Sequence, residues 1–139
     1  MMSTGPGPHD LATTRLILND RQMATTKPVT PDFYAELDNE FSSFEGHCLI
    51  AQHDFSEAWP TWEVHPDGDE FVYLMFGEID FVLWVEGVEQ IIQVSEPGSY
   101  VVVPKGVWHT ARPKAPTRML FVTPGEGTLN ARDPEGEAL

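Results

Sequence analysis

The sequence predicts an all-β sandwich or jelly roll with one short N-terminal helix, on three observations. From residue 47 the chain breaks into short runs rich in Val, Ile, Phe, Tyr and Trp, residue types that suit a pleated, half-buried surface. Pro, Gly and Asp punctuate these runs, as in PDGDE over 66–70 and EPGS over 96–99. No stretch between them holds a helix long enough for the crossover that a parallel strand pair needs.

In order, residues 1–14 are rich in Gly, Pro, Ser and Thr without periodicity and are expected to be mobile unless they dock on a neighbour. A short strand is predicted over 15–18. Thr30, Pro31 and the acids of DFYAELDNEF supply an N-cap, a first-turn proline and first-turn negative charge, so a helix is predicted from there, ending before Gly46. Strands follow over 47–55, 60–65, 70–76, 78–85, 88–94, 99–104, 108–112 and 117–123, with Gly87 turning a hairpin. Residues 125–139 are polar, acidic and glycine-containing, the composition of a surface strap or disordered end. The predicted organisation is an N-terminal segment over 1–44 whose helix packs on a barrel, a barrel domain over 45–124, and an acidic tail.

With 139 residues the chain can bury one core without disulfides. Its single cysteine, Cys48, sits in an apolar run and reads as a small buried hydrophobe of a reducing, cytoplasmic compartment. No apolar run reaches the length of a membrane span, and no leader pattern opens the sequence. The excess of 22 acidic over 8 basic residues gives a net charge of −14, which argues against nucleic acid and anionic membrane surfaces as partners.

Two stretches carry the chemistry. In WEVHPDGDEFVYLMFG (62–77), Glu63 and His65 are two apart and share one face of a strand, while Glu70 follows across a turn. Val72, Leu74 and Phe76 continue on the Glu70 side and are expected to form an apolar wall that strengthens charge interactions within it. The second stretch, GSYVVVPKGVWH (98–109), brings His109 after a Pro-x-Gly turn. His and carboxylate side chains at such spacing can converge on one ion.

The spacing of His65, Glu70 and Gly77, followed by Gly98, Pro104, Gly106 and His109, resembles the two motifs of the cupin superfamily over roughly residues 45 to 124. The resemblance implies a double-stranded β-helix, or jelly-roll barrel, with a metal site inside it. Glu63 stands where that family usually has its first histidine, Pro113 where it often has asparagine, and Ala58 where a leading glycine would be. The implied metal ligands are Glu63, His65, Glu70 and His109, for Fe, Mn or Zn as a divalent ion. Two readings of Glu63 remain open: a fourth ligand, or a free carboxylate beside His65, Glu70 and His109, acting as a catalytic base. A third possibility is a hydrogen-bonded polar pocket without an ion.

By that resemblance, the function expected is that of a metal-dependent enzyme on a small molecule, of dioxygenase or isomerase type, the alternative being a non-catalytic binder or sensor. His47 and His53 alternate with Leu49 and Ala51 on one strand face and are candidates for the pocket. Arg118 shares a face with Leu120 and Val122 and is a candidate for an inward, anion-binding role. Trp62 and Trp108 have the opposite parity to the ligand set and are expected on the outside. Phe71, Tyr73 and Met75 make the outer face of their strand apolar, which predicts a homodimer.

Overall fold

The computed structural model describes residues 5–136. Its elements are β1 (Thr14–Asn19), β2 (Ala24–Pro28), α1 (Phe33–Glu40), β3 (His47–Phe55), β4 (Trp62–Val64), β5 (Glu70–Phe76), β6 (Ile79–Val85), β7 (Val88–Val94), β8 (Tyr100–Val103), β9 (His109–Pro113), β10 (Thr117–Thr123) and β11 (Leu129–Ala131). One antiparallel sheet has the order β2-β1-β3-β10-β5-β8 and the other β11-β4-β9-β6-β7. Between them lies an apolar layer that includes Val72, Leu74, Ile79, Phe81, Leu83, Val101, Ala111, Met119 and Phe121. This is the predicted all-β jelly roll, and β3, β5, β7 and β10 have the predicted bounds.

The differences have local causes. α1 begins at Phe33 with Asp32 at its N-cap, because the Thr30 hydroxyl donates to Glu36 Oε1 at 2.5 Å instead of capping. Lys27, from β2, donates to both Glu36 and Glu40 at 3.0 Å, so the helix is pinned across the sheet. Its apolar side, Phe33 and Leu37, packs with Ile17, Phe44, Leu49 and Ala51 in a second cluster. Asp10 organises a turn ahead of β1, accepting from the Ala12 amide and, through its carbonyl, from Thr14. Residues 1–4 and 137–139, to which the expectations of a mobile start and a loose tail also applied, lie outside the described residues.

Three further expectations are corrected. Phe76 is 44% exposed, because the register slips between Arg118 and Met119: Phe76 pairs with Arg118 while Leu74 already pairs with Met119, and the bulge turns the end of β5 outward. The inward wall is therefore Val72 and Leu74 alone. Strand pairing also runs past residue 124. β11 is hydrogen-bonded to β4, with Leu129 opposite Val64 and Ala131 opposite Trp62, and Ala131 is fully buried. Cys48 is half-buried, its thiol pushed up by burial, rather than a core residue.

Candidate metal centre

Four donors are brought together by pairing and by two turns. Glu63 in β4 lies directly opposite His109 in β9, so their side chains are cross-strand neighbours. His65 follows β4 on the same side as Glu63, and Glu70 opens β5. The Gly106 amide donates to the His65 carbonyl at 3.0 Å and the Lys105 amide to Asp69 Oδ1 at 2.7 Å, which ties the turn of the second stretch to that of the first. Gly106 adopts φ +77°, a conformation that favours glycine. Gly77 is held at φ +104° with its α-carbon so close to Pro116 and Thr117 that a Cβ would come within 2.5 Å of the Pro116 carbonyl.

One ligand atom from each of Glu63, His65, Glu70 and His109 lies within 4.8 Å of the others. His65 Nε2 is 3.6 Å from Glu63 Oε1 and 3.3 Å from Glu70 Oε2; His109 Nε2 is 3.5 Å from Glu63 Oε1 and 3.3 Å from Glu70 Oε1. These contacts fall within ion-pair range, and none is a hydrogen bond. His65 Nε2, His109 Nε2 and Glu70 Oε1 are buried with no hydrogen-bond partner. Each such atom, left alone, costs on the order of 1–3 kcal/mol. Donors about 2.1 Å from one tetrahedral ion would be about 3.4 Å apart, so the residues present fit a divalent ion.

The outward side of each ring is already fixed. The Thr128 hydroxyl donates to the Gly125 carbonyl at 3.0 Å and so presents its oxygen to His65 Nδ1, 2.8 Å away. His109 Nδ1 lies 3.1 Å from the Val107 carbonyl and donates to it. With both Nδ1 atoms protonated, each neutral ring turns an Nε2 lone pair into the cluster. Thr123 donates to Glu70 Oε2 at 2.6 Å, orienting that carboxylate in the same way.

Burial pushes the Glu63 carboxyl up, but His109 and His65 beside it outweigh burial and hold it at about 2. Glu70, more deeply buried, is held at about 2 by the same two rings. Burial works against charge on His109 as well, and the flanking Glu63 and Glu70 reverse it, lifting the imidazole to about 9; His65 is raised against burial by the same two carboxylates. In the absence of an ion, then, the carboxylates keep their charge and both rings hold a proton more readily than a free imidazole does.

A cavity of about 820 Å³ opens against Glu63, His65 and Glu70. Phe55, Trp59 and Phe121 form one wall and Tyr34, Leu37 and Asp38 of α1 contribute to another. His53 does line it, its ring 5.5 Å from that of Phe121, and burial lowers its pKa. His47 does not; it lies against Phe41 and Phe44, with Nδ1 2.6 Å from the Glu45 carbonyl. Arg118 is directed outward, paired with Asp54 at 2.7 and 3.1 Å and lying over Phe76, because the face it shares with Leu120 and Val122 is the outer one. Trp62 packs on the far side of its sheet against Trp84, 6.1 Å away. Thr123 and Thr128 escaped the sequence reading, for a lone threonine near a chain end carries no motif.

No protein-family profile matches the sequence, and no curated protein does. Among solved structures, a variant of Bacillus subtilis oxalate decarboxylase superposes with a TM-score of 0.51 at 16% identity, over 60% of this chain and 23% of that one. The fold is that of the cupins. A cupin-2 domain protein from Shewanella frigidimarina gives 0.48 at 23% identity, over 55% of this chain and 70% of that one. Hydroquinone 1,2-dioxygenase from Sphingomonas gives 0.46 at 18% identity, over 66% and 61%. Among the described residues of this cupin-fold chain, no helix is long and apolar enough to cross a membrane.

Proposed function

We propose that this cupin-fold chain is a metal-dependent enzyme acting on a small molecule in the barrel pocket, of dioxygenase or isomerase type. Glu63, His65, Glu70 and His109 would hold a divalent transition ion, Fe, Mn or Zn. The observation that carries this reading is the convergence of four donors, three of whose atoms are buried without a hydrogen-bond partner. A mixed imidazole and carboxylate set suits those ions better than soft Cu(I). When bound, such an ion supplies Lewis acidity to an oxygen of substrate or water.

The chain's own residues do the rest. Val72 and Leu74, fully buried, keep water from the inner side of the cluster, while the cavity leaves room for a ligand on the Glu63 side. Glu63 is the one member with appreciable exposure, 27%, so its carboxylate is the group placed to exchange a proton with a ligand. Its Oε1 also lies among the other donors, which favours ligation as its resting role. The second reading, a non-catalytic binder, is supported by that same fact, since four protein donors leave fewer open positions.

Elemental analysis of protein purified without chelator tests the reading. It should find one divalent transition ion per chain, lost in His109→Ala. Wild-type protein that carries no ion and takes up none of Fe(II), Mn(II) or Zn(II) would overturn it. For an iron-loaded chain, oxygen uptake against small diketones, thiols and catechols separates enzyme from binder; for zinc or manganese, sugar and keto-acid isomerisation does.

A further inference from the structure

We propose that the cavity selects a small molecule with an aromatic body and no negative charge, favouring an organic cation over its neutral isostere. The inference rests on the metal reading above and deepens it. Two ionised carboxylates, Glu63 and Glu70, balance a divalent ion, so the loaded cluster has no net charge; a histidine at position 63 would leave it at +1. An anion approaching the ion therefore gains little from long-range attraction.

The walls add no cationic side chain to attract an anion. Among the described residues no lysine or arginine lines the cavity, whereas Asp38, Asp54 and Glu57 do. Of the guanidinium groups nearby, Arg118 pairs with Asp54 and balances its charge, which leaves Asp38 and Glu57, while Arg15 lies behind the wall over the rings of Phe33 and Tyr34. Beside the donors stands an aromatic wall: Phe55, Trp59 and Phe121 have ring centroids 5.2 to 6.1 Å apart, and Trp59 is 6.3 Å from His109. Aromatic faces flanked by carboxylates attract cations and apolar rings and repel carboxylates. The unpartnered Oε1 of Glu70, on a side chain 2% exposed, marks the end of the cavity where a polar group of the ligand meets the ion.

Calorimetry with three small aromatic probes of different charge, benzylammonium, benzyl alcohol and benzoate, tests this on the zinc-loaded protein with zinc content measured in the same samples. Benzoate should bind at least about tenfold more weakly than the other two, with a gap that widens at low salt. Benzoate binding as tightly as benzyl alcohol, or no binding by any of the three, overturns the proposal. A chain that takes up none of Fe(II), Mn(II) or Zn(II) fails the metal reading separately, and discrimination against benzoate should persist in it, because Asp38 and Glu57 still line a cavity without lysine or arginine among the described residues. Zinc-loaded Glu63→His, checked for an unchanged thermal melt, should gain roughly tenfold in benzoate affinity from its added positive charge. Glu57→Gln, outside the cluster, should raise it about two- to threefold; unchanged benzoate affinity in both variants also overturns the proposal.

Discussion

Thr128 Oγ1 lies 2.8 Å from His65 Nδ1 and gives its own proton to the Gly125 carbonyl, so a residue only 11 positions from the end of the 139-residue chain sets the tautomer of a candidate ligand. Thr128→Val keeps the shape and removes the acceptor. It should weaken zinc binding by about 10- to 100-fold, measured by competition with a chromophoric chelator, while Thr128→Ser stays near wild type. Equal affinity in the valine variant would show that the contact does not orient the ring.

Glu63 discriminates between ligation and base catalysis. As a ligand, its change to Gln should weaken ion binding by at least about tenfold; as a base, it should leave the ion in place and remove turnover alone. The 3.5 and 3.6 Å approaches of Oε1 to the two rings lead us to expect the first. A fully loaded Glu63→Gln chain would sink it.

The cluster also dictates a pH dependence. His109, raised from 6.5 to about 9 in the folded chain, contributes stability that is fully present below 6.5 and is lost as pH rises through about 9. Glu63 and Glu70, lowered from 4.5 to about 2, contribute stability present above 4.5 and lost as pH falls through about 2. Chelator-treated protein should thus melt highest between pH 4.5 and 6.5, by differential scanning fluorimetry. An ion must displace the ring protons, so zinc affinity should climb from pH 6 to 8, by about tenfold per pH unit for each proton released. Affinity that is flat across that interval would contradict the assignment of His109 as a ligand.

The outer face of β5 and β8 predicts self-association. Met75, Phe76, Tyr100 and Val102 are 38 to 60% exposed, Phe71 packs on Tyr100 at 5.0 Å, and the N-terminal strands β1 and β2 sit at the opposite edge of the sheet. Light scattering at micromolar concentration should report a homodimer, and Tyr100→Lys should dissociate it. A monomeric wild type would refute the prediction.

How much of this was legible in the sequence follows from the physics of each signal. Strands with β-branched and aromatic alternation, such as Val88–Val94 and Thr117–Thr123, declare themselves locally. The shared face of Glu63 and His65 is equally local, whereas the addition of Glu70 and His109 to one ligand set is implied by the resemblance to the two cupin motifs. The directions of Phe76 and Arg118 were not legible, since parity arguments fail at a bulge and cannot say which face is inner. β2, with the sequence ATTKP, and β11, with LNA, are short and polar; they are strands because a neighbour offers an edge, which no local window contains. The contact between Thr128 and His65 spans 63 positions and is invisible for the same reason.

The uneven walls of the cluster bear on how fast an ion could come and go. His109, Glu70 and His65 have side chains 0%, 2% and 4% exposed, against 27% for Glu63. The cavity reaches the cluster on the side of Glu63, His65 and Glu70, so an ion held there would come and go through the cavity, past the one carboxylate that is appreciably exposed. A ligand filling that cavity would therefore also close the route by which an ion leaves, tying exchange of the ion to release of the ligand.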